Sequence, residues 1–141
     1  MKRLLAIFVM LCTLSLSGCA VFQELQEGMG EAFGTVVAFC EALEEDNFDA
    51  AATLLHAQGT LNKENLSAKI AKLEKTHGID FSDGITFKHR TSFSSSYYTS
   101  EYDGSAYEAS YEILVGKVTV TLFFTVVRND SGYGIYHFGL E

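Results

Sequence analysis

The 141-residue sequence contains no proline, three cysteines, and ten lysines and arginines against eighteen aspartates and glutamates. Without proline, no residue interrupts a hydrogen-bonded ladder, so the alternating runs in the second half of the chain can be read as unbroken strands. Cys12 and Cys19 sit near the start. The rest of the chain holds Cys40 alone and cannot close an internal disulfide. Within Val36-Val37-Ala38-Phe39-Cys40 that thiol reads as a small buried hydrophobe. The formal net charge is −8, and no basic cluster offsets it. Such a chain repels polyanions, which excludes nucleic acid as a partner. There are no repeats, no phosphate-binding or dinucleotide glycine pattern and no nucleophile elbow. His56, His77, His89 and His137 show no metal-ligand spacing, so neither a metal nor a cofactor is expected.

The first eighteen residues form a unit of their own. Lys2 and Arg3 precede a mostly apolar run from Leu4 to Leu16, broken only by Thr13 and Ser15. That order describes a secretory signal. The run falls short of the roughly 20 apolar residues that a membrane-spanning helix takes. The next residues, Leu16-Ser17-Gly18-Cys19, resemble the lipobox of bacterial lipoprotein precursors. The resemblance implies cleavage before Cys19, lipid on its thiol, and export to a membrane-held, periplasm-facing position. Two or three acyl chains suffice for stable anchoring, whereas one does not. Ala20 is not acidic, which in a Gram-negative host implies, by resemblance to the sorting rules there, the outer membrane. The division expected is a signal peptide over 1–18, a lipidated tether over 19–30 and one domain over 31–141.

Within that domain, Phe33, Val36, Val37, Cys40 and Leu43 recur at helical intervals. A second helix is predicted from Phe48 to about His56, with Asp46 or Asn47 as cap. A third is predicted from about Lys63 to Thr76, between Asn62 as N-cap and Gly78 just past the end. After Gly78 the period falls to two. Ile85, Phe87, His89, Thr91 and Phe93 share one face of a first strand. Tyr107, Ala109, Tyr111, Ile113 and Val115 share one face of a second. Val118, Val120, Leu122, Phe124 and Val126 share one face of a third, and Tyr133 to Leu140 is the fourth. Gly116-Lys117 and Asn129 to Gly132 read as tight turns, and Ser92 to Ser100 as the end of the first strand and its hairpin. Three helices before four antiparallel strands make an α+β fold with the helices on one sheet face.

Two stretches carry a resemblance to the NTF2-like superfamily of cystatin-like cones. Phe39 to Ala51 is similar to its opening pattern F-x-x-A-L-x-x-G-D-F-x-x-A, with Asp46-Asn47 in place of Gly-Asp. Gly132 to Phe138 resembles its closing strand, with Tyr133 near the usual Trp. The resemblance implies helices packed in the hollow of a curved four-stranded antiparallel sheet. Because the superfamily includes dehydratases, isomerases, ligand carriers and interaction modules, it implies no single activity.

Two sets of residues could carry function. His89 and His137 lie where they could point into the cone, and with an acid such as Asp80 or Asp83 either would make an acid–base pair. The plainer alternative is a histidine satisfied by a neighbour. Tyr97, Tyr98, Tyr102, Tyr107 and Tyr111 crowd one hairpin, with Tyr97 and Tyr102 expected across from Tyr107 and Tyr111. They form either a recognition surface or cross-strand packing. The reading preferred is a lipid-anchored, non-catalytic module that binds an envelope protein, a glycan or a small apolar ligand. The default ligand site is the space between the sheet and the first helix. The alternatives are a small lyase or isomerase using His89 or His137, and a structural accessory subunit of an envelope assembly.

Overall fold

A computed structural model of the chain describes residues 28–141; the signal segment, Cys19 and the tether up to residue 27 lie outside the described residues. Helix α1 covers 28–44, α2 Phe48–Ala52 and α3 Leu66–His77, followed by a short 3-10 turn, Phe81–Asp83. Strands β1 (Ile85–Thr99), β2 (Gly104–Val115), β3 (Val118–Asn129) and β4 (Gly132–Leu140) form one open antiparallel sheet in the order β1-β2-β3-β4. This is the α+β arrangement of helices before a four-stranded sheet that the change of period predicts.

The core is the seam between α1 and the inner sheet face. Ala32, Val36, Phe39, Cys40 and Leu43 of α1 are buried against Ile113, Leu122, Phe124, Val126 and Ile135, and Leu66 and Ile70 of α3 close one side. Burial holds the Cys40 thiol far above the usual thiol range, with the carboxylates of Glu44 and Glu41 adding to the effect. Phe39 meets Phe138 edge-on at 4.8 Å between ring centroids. Two carboxylates pin the elements together through backbone amides: Ile85 N–H donates to Glu44 at 2.7 Å and Phe81 N–H to Glu74 at 2.9 Å.

The helix ends follow the sequence signals with adjustments. Asn47 caps α2 by accepting from Ala50 N–H, and Gly78 ends α3 in the left-handed region. Regular helix in α3 begins at Leu66 rather than Lys63, because Asn62 and Asn65 brace the intervening turn, each side chain accepting the other's backbone N–H. The described part of α1 already includes residues 28–30, which the sequence assigns to the tether. Gly28 passes so close to the Tyr107 ring that a Cβ there would collide with it.

α2 stops at Ala52, four residues short of the expected end. The chain is drawn off to run along the outer edge of β4. Ile135 N–H donates to Leu54 O, His56 N–H to Ile135 O, and Thr60 N–H to Tyr136 O, all at 2.9 Å. Gly134 makes this approach possible, since any side chain there would strike the backbone at 54–56.

β1 has the expected start but not the expected alternation. Its register against β2 shifts between Phe87 and His89, between Arg90 and Ser92, and again between Ser96 and Thr99. Each bulge inserts a residue and turns the residues beyond it to the opposite face. Phe87 therefore pairs with inward Ile113, whereas His89 pairs with outward Glu112.

Candidate functional site

The expected ligand space between sheet and α1 is filled. Phe33 stacks on Tyr111 at 5.0 Å, Tyr111 on Phe124 at 6.1 Å, and Phe87 meets both Phe33 and Tyr111 edge-on. Among the described residues, what is left, lined by Met29, Phe33, Phe93, Tyr107, Tyr111 and Phe124 among others, is a cavity of about 10 Å³. That is room for about one water, against the roughly 300 Å³ at which ligand sites begin. A larger depression of about 440 Å³ lies at the far end of the sheet, between Gly78-Ile79 and the β2–β3 turn. It is open to solvent, and its charged lining residues are Asp83 and Lys117.

Neither candidate histidine faces the core. His89 is on the outer face, its Nδ1 3.8 Å from Glu112 with both side chains largely exposed. His137, expected to point inward, pairs with Thr125 on the outer face and packs on Tyr136 at 4.9 Å between centroids. A register shift between Thr125 and Val126 places Tyr136 and His137 together on that side. Of their expected acid partners, Asp80 is occupied locally. It accepts from the N–H and hydroxyl of Ser82, which holds its carboxyl below the usual range.

The buried histidine is His56, 2% exposed. Its Nδ1 accepts Gln58 N–H at 3.1 Å, so its proton sits on Nε2, which donates to Asn129 Oδ1 at 3.0 Å. Asn129 also accepts Ser131 N–H and donates to Gln58 Oε1 and the Tyr102 carbonyl. Both ring nitrogens are thereby satisfied by neighbours, and the network ties the β3–β4 turn to the 54–60 segment. Among the described residues no group of three histidine, cysteine or acidic side chains is placed to hold a metal.

The five tyrosines do not form one patch. Tyr107 and Tyr111 pack inward against α1 and the core, and their partners across β1 are Ser95 and Arg90 rather than tyrosines. Tyr102 folds to the outer face, buried with Ala106, Val127 and Tyr136. Its hydroxyl is held above the usual range by that burial first, then by Glu101 and Glu108. Only Tyr97 and Tyr98 stand free, 78% and 63% exposed, with Phe93 at 38%. The Tyr98 hydroxyl donates to Asp103 at 2.6 Å, which raises its pKa.

These three aromatic residues lie on β1, and β1 is the sheet's uncovered edge. The two edges differ: β4 is covered by the 54–60 segment, while β1 has no strand or loop beyond it among the described residues. Arg90 lies over the Phe93 ring at 5.0 Å. From Thr91 to Ser100 the sequence has no charged residue. An edge this long, uncharged and free of proline offers a row of backbone donors and acceptors to another strand. Alternation alone could not single out this edge, because the bulges that set its exposure leave no mark in the hydrophobic period. In comparisons with known proteins, no family model matches the chain and no curated protein matches it in sequence.

Proposed function

We propose that this chain is a membrane-anchored, non-catalytic interaction module of the cell envelope, an NTF2-like domain held outward by lipid on Cys19. The observation that supports it best is the inner face, filled among the described residues, whose cavity of about 10 Å³ there leaves the outer surface as the place to engage a partner. The free β1 edge, with Tyr97 and Tyr98 at its end, is the surface suited to that task. A protein partner fits it better than a small apolar ligand, because the edge supplies backbone hydrogen bonds in register and exposed aromatic area. An accessory subunit of an envelope assembly would use the same edge. A lyase or isomerase would need a histidine and a carboxylate facing one hollow, and neither His89 nor His137 is so placed among the described residues.

Two measurements test the reading. Replacing Cys19 with Ser is expected to move the chain from the membrane fraction to the soluble fraction; a variant that stays membrane-bound sinks the anchor. Native mass spectrometry of the purified chain is expected to find no small molecule retained. A stoichiometric organic ligand that survives purification would sink the filled-domain reading.

A further inference from the structure

The geometry points to a second copy of this chain as the partner at the β1 edge: we propose that two β1 strands pair antiparallel about a two-fold axis through Ser95. The inference rests on the anchored-module reading above, because a contact made by one strand edge is small, and confinement to a membrane supplies the effective concentration that such a contact needs.

Three features of β1 fit a copy of itself. First, the backbone faces the right way. Gly116 N–H donates to Gly84 O, and β2 pairs with β3 from Val115–Val118 onward without a shift, so Ala106 and Glu108 direct their backbone groups toward β1. Their partners Ser96 and Ser94 therefore bond into the sheet, which leaves the backbone groups of Phe93 and Ser95 facing outward. A two-fold axis at Ser95 sets Ser95 of each copy against Ser95 of the other, where they exchange hydrogen bonds. Ser94 then meets Ser96 of the other copy at a non-hydrogen-bonded site.

Second, the side chains are self-complementary in that register. Phe93 faces the second copy's Tyr97, and the reciprocal pair forms on the other side of the axis. Two exposed aromatic residues are thereby covered twice, each pair adding about 0.2–1 kcal/mol to strand pairing. Third, the charges agree. The chain is acidic overall, at −8, yet the stretch from Thr91 to Ser100 that would lie across the axis carries no charge. The strand is basic at one end, with Lys88 and Arg90, and its turn is acidic at the other, with Glu101 and Asp103, all exposed. Antiparallel pairing brings the basic end of each copy to the acidic end of the other. A foreign strand would meet the edge hydrogen bonds but not this reciprocal match.

The test is disulfide trapping of the full chain in its membranes. A hydrogen-bonded antiparallel pair places Cα atoms about 5.5 Å apart, within disulfide range. Mild oxidation of Ser95→Cys is therefore expected to convert most of the chain to a covalent dimer. Ser110→Cys, on the outer face of β2, reports pairing through sheet faces and is expected to give about tenfold less, with the unsubstituted chain as background. Adding Ser94→Lys and Ser96→Lys to Ser95→Cys is expected to abolish trapping, since the axis then gathers four ammonium groups at the edge. In the monomer Ser94 pairs with Glu108, which a lysine in its place would face as an opposite charge, so folding is not the casualty. An unchanged circular dichroism spectrum checks this. No trapping at Ser95, equal trapping at Ser110, or trapping that survives the lysines overturns the proposal. A chain that stays in the membrane fraction yet fails to trap sinks the dimer alone. A Cys19→Ser chain that never leaves the membrane sinks the anchor alone.

Discussion

Replacing Asn129 with Ala removes the hub that joins the β3–β4 turn to the segment covering β4. Asn129 makes four side-chain hydrogen bonds, at 2.7–3.0 Å, to His56, Gln58, the Tyr102 carbonyl and Ser131 N–H. Ser131 N–H can only donate, which fixes Oδ1 on that side; Gln58 N–H can only donate, which makes His56 Nδ1 an acceptor. The His56 ring is then neutral, with its proton on Nε2 aimed at Asn129. Removing Asn129 leaves that N–H without a partner on a residue only 2% exposed. An orphaned buried donor costs about 1–3 kcal/mol, and each hydrogen bond whose surviving partner can turn to water costs about 0.5 kcal/mol. The loss expected is about 2–4 kcal/mol, a large part of the 5–15 kcal/mol that holds a typical domain together. Urea denaturation followed by far-ultraviolet circular dichroism measures it, with the exposed neighbour Asp130→Ala as a control expected to change little. His56→Ala combined with Asn129→Ala is expected to cost at least about 0.5 kcal/mol less than the sum of the two single changes. A loss below about 0.5 kcal/mol for Asn129→Ala, strictly additive losses, or an imidazole ¹⁵N spectrum placing the proton on Nδ1 would refute the network as described.

Other expectations concern pH and the backbone. Cys40, Tyr102 and Tyr133 all hold their protons more tightly when folded, chiefly through burial. The unfolded chain releases them from about pH 9 upward, so stability is present below that range and falls as pH rises through it, by up to about 1.4 kcal/mol per pH unit for each group. Denaturation midpoints between pH 8 and pH 10.5 should show the decline, and Cys40→Ala should flatten its onset; a slope identical in that variant would exclude the thiol as a source. Asp46 sits at φ 53°, in the left-handed region. Asp46→Gly should raise stability by about 0.5 kcal/mol and Asp46→Val lower it by about 1–2 kcal/mol, as measured by thermal melts; equal melting of the Val variant and the parent would mean that this turn carries no strain.

Asp46 also shows what kind of information the sequence holds. The resemblance to the NTF2-like opening pattern puts a glycine at this position, and the chain has an aspartate there. The structure gives that aspartate φ 53°, in the left-handed region that glycine favours. The helices and strands are legible because their apolar periods register directly which face is buried. The inward rows of β2 and β3 appear as expected. Periodicity could not supply the count across β1, where register shifts reverse the alternation and the first of them carries His89 outward. The same limit hides His56. It lies just past a short helix whose end the apolar pattern overshoots, and its burial comes from an edge contact with β4 rather than from any stripe of its own.

The two edges of the sheet explain why those differences matter for function. At β4 the chain uses the 54–60 segment, a glycine and a buried histidine–asparagine network to cover backbone groups that would otherwise face solvent. At β1, among the described residues, it has nothing comparable: two bulges, Lys88 and Arg90 guard the first half, and Thr91 to Ser100, with one further register shift between Ser96 and Thr99, carries neither charge nor cover. An open edge is an aggregation hazard that folded proteins ordinarily blunt. If the bare half were merely tolerated, lysines in place of Ser94 and Ser96 would improve solubility and alter nothing else. If it is a pairing surface, the same lysines should abolish Ser95 trapping while leaving denaturation midpoints and membrane retention as they were. Loss of trapping accompanied by a lowered midpoint would instead mean that the serines support the monomer, and the argument from the uncovered edge would fail.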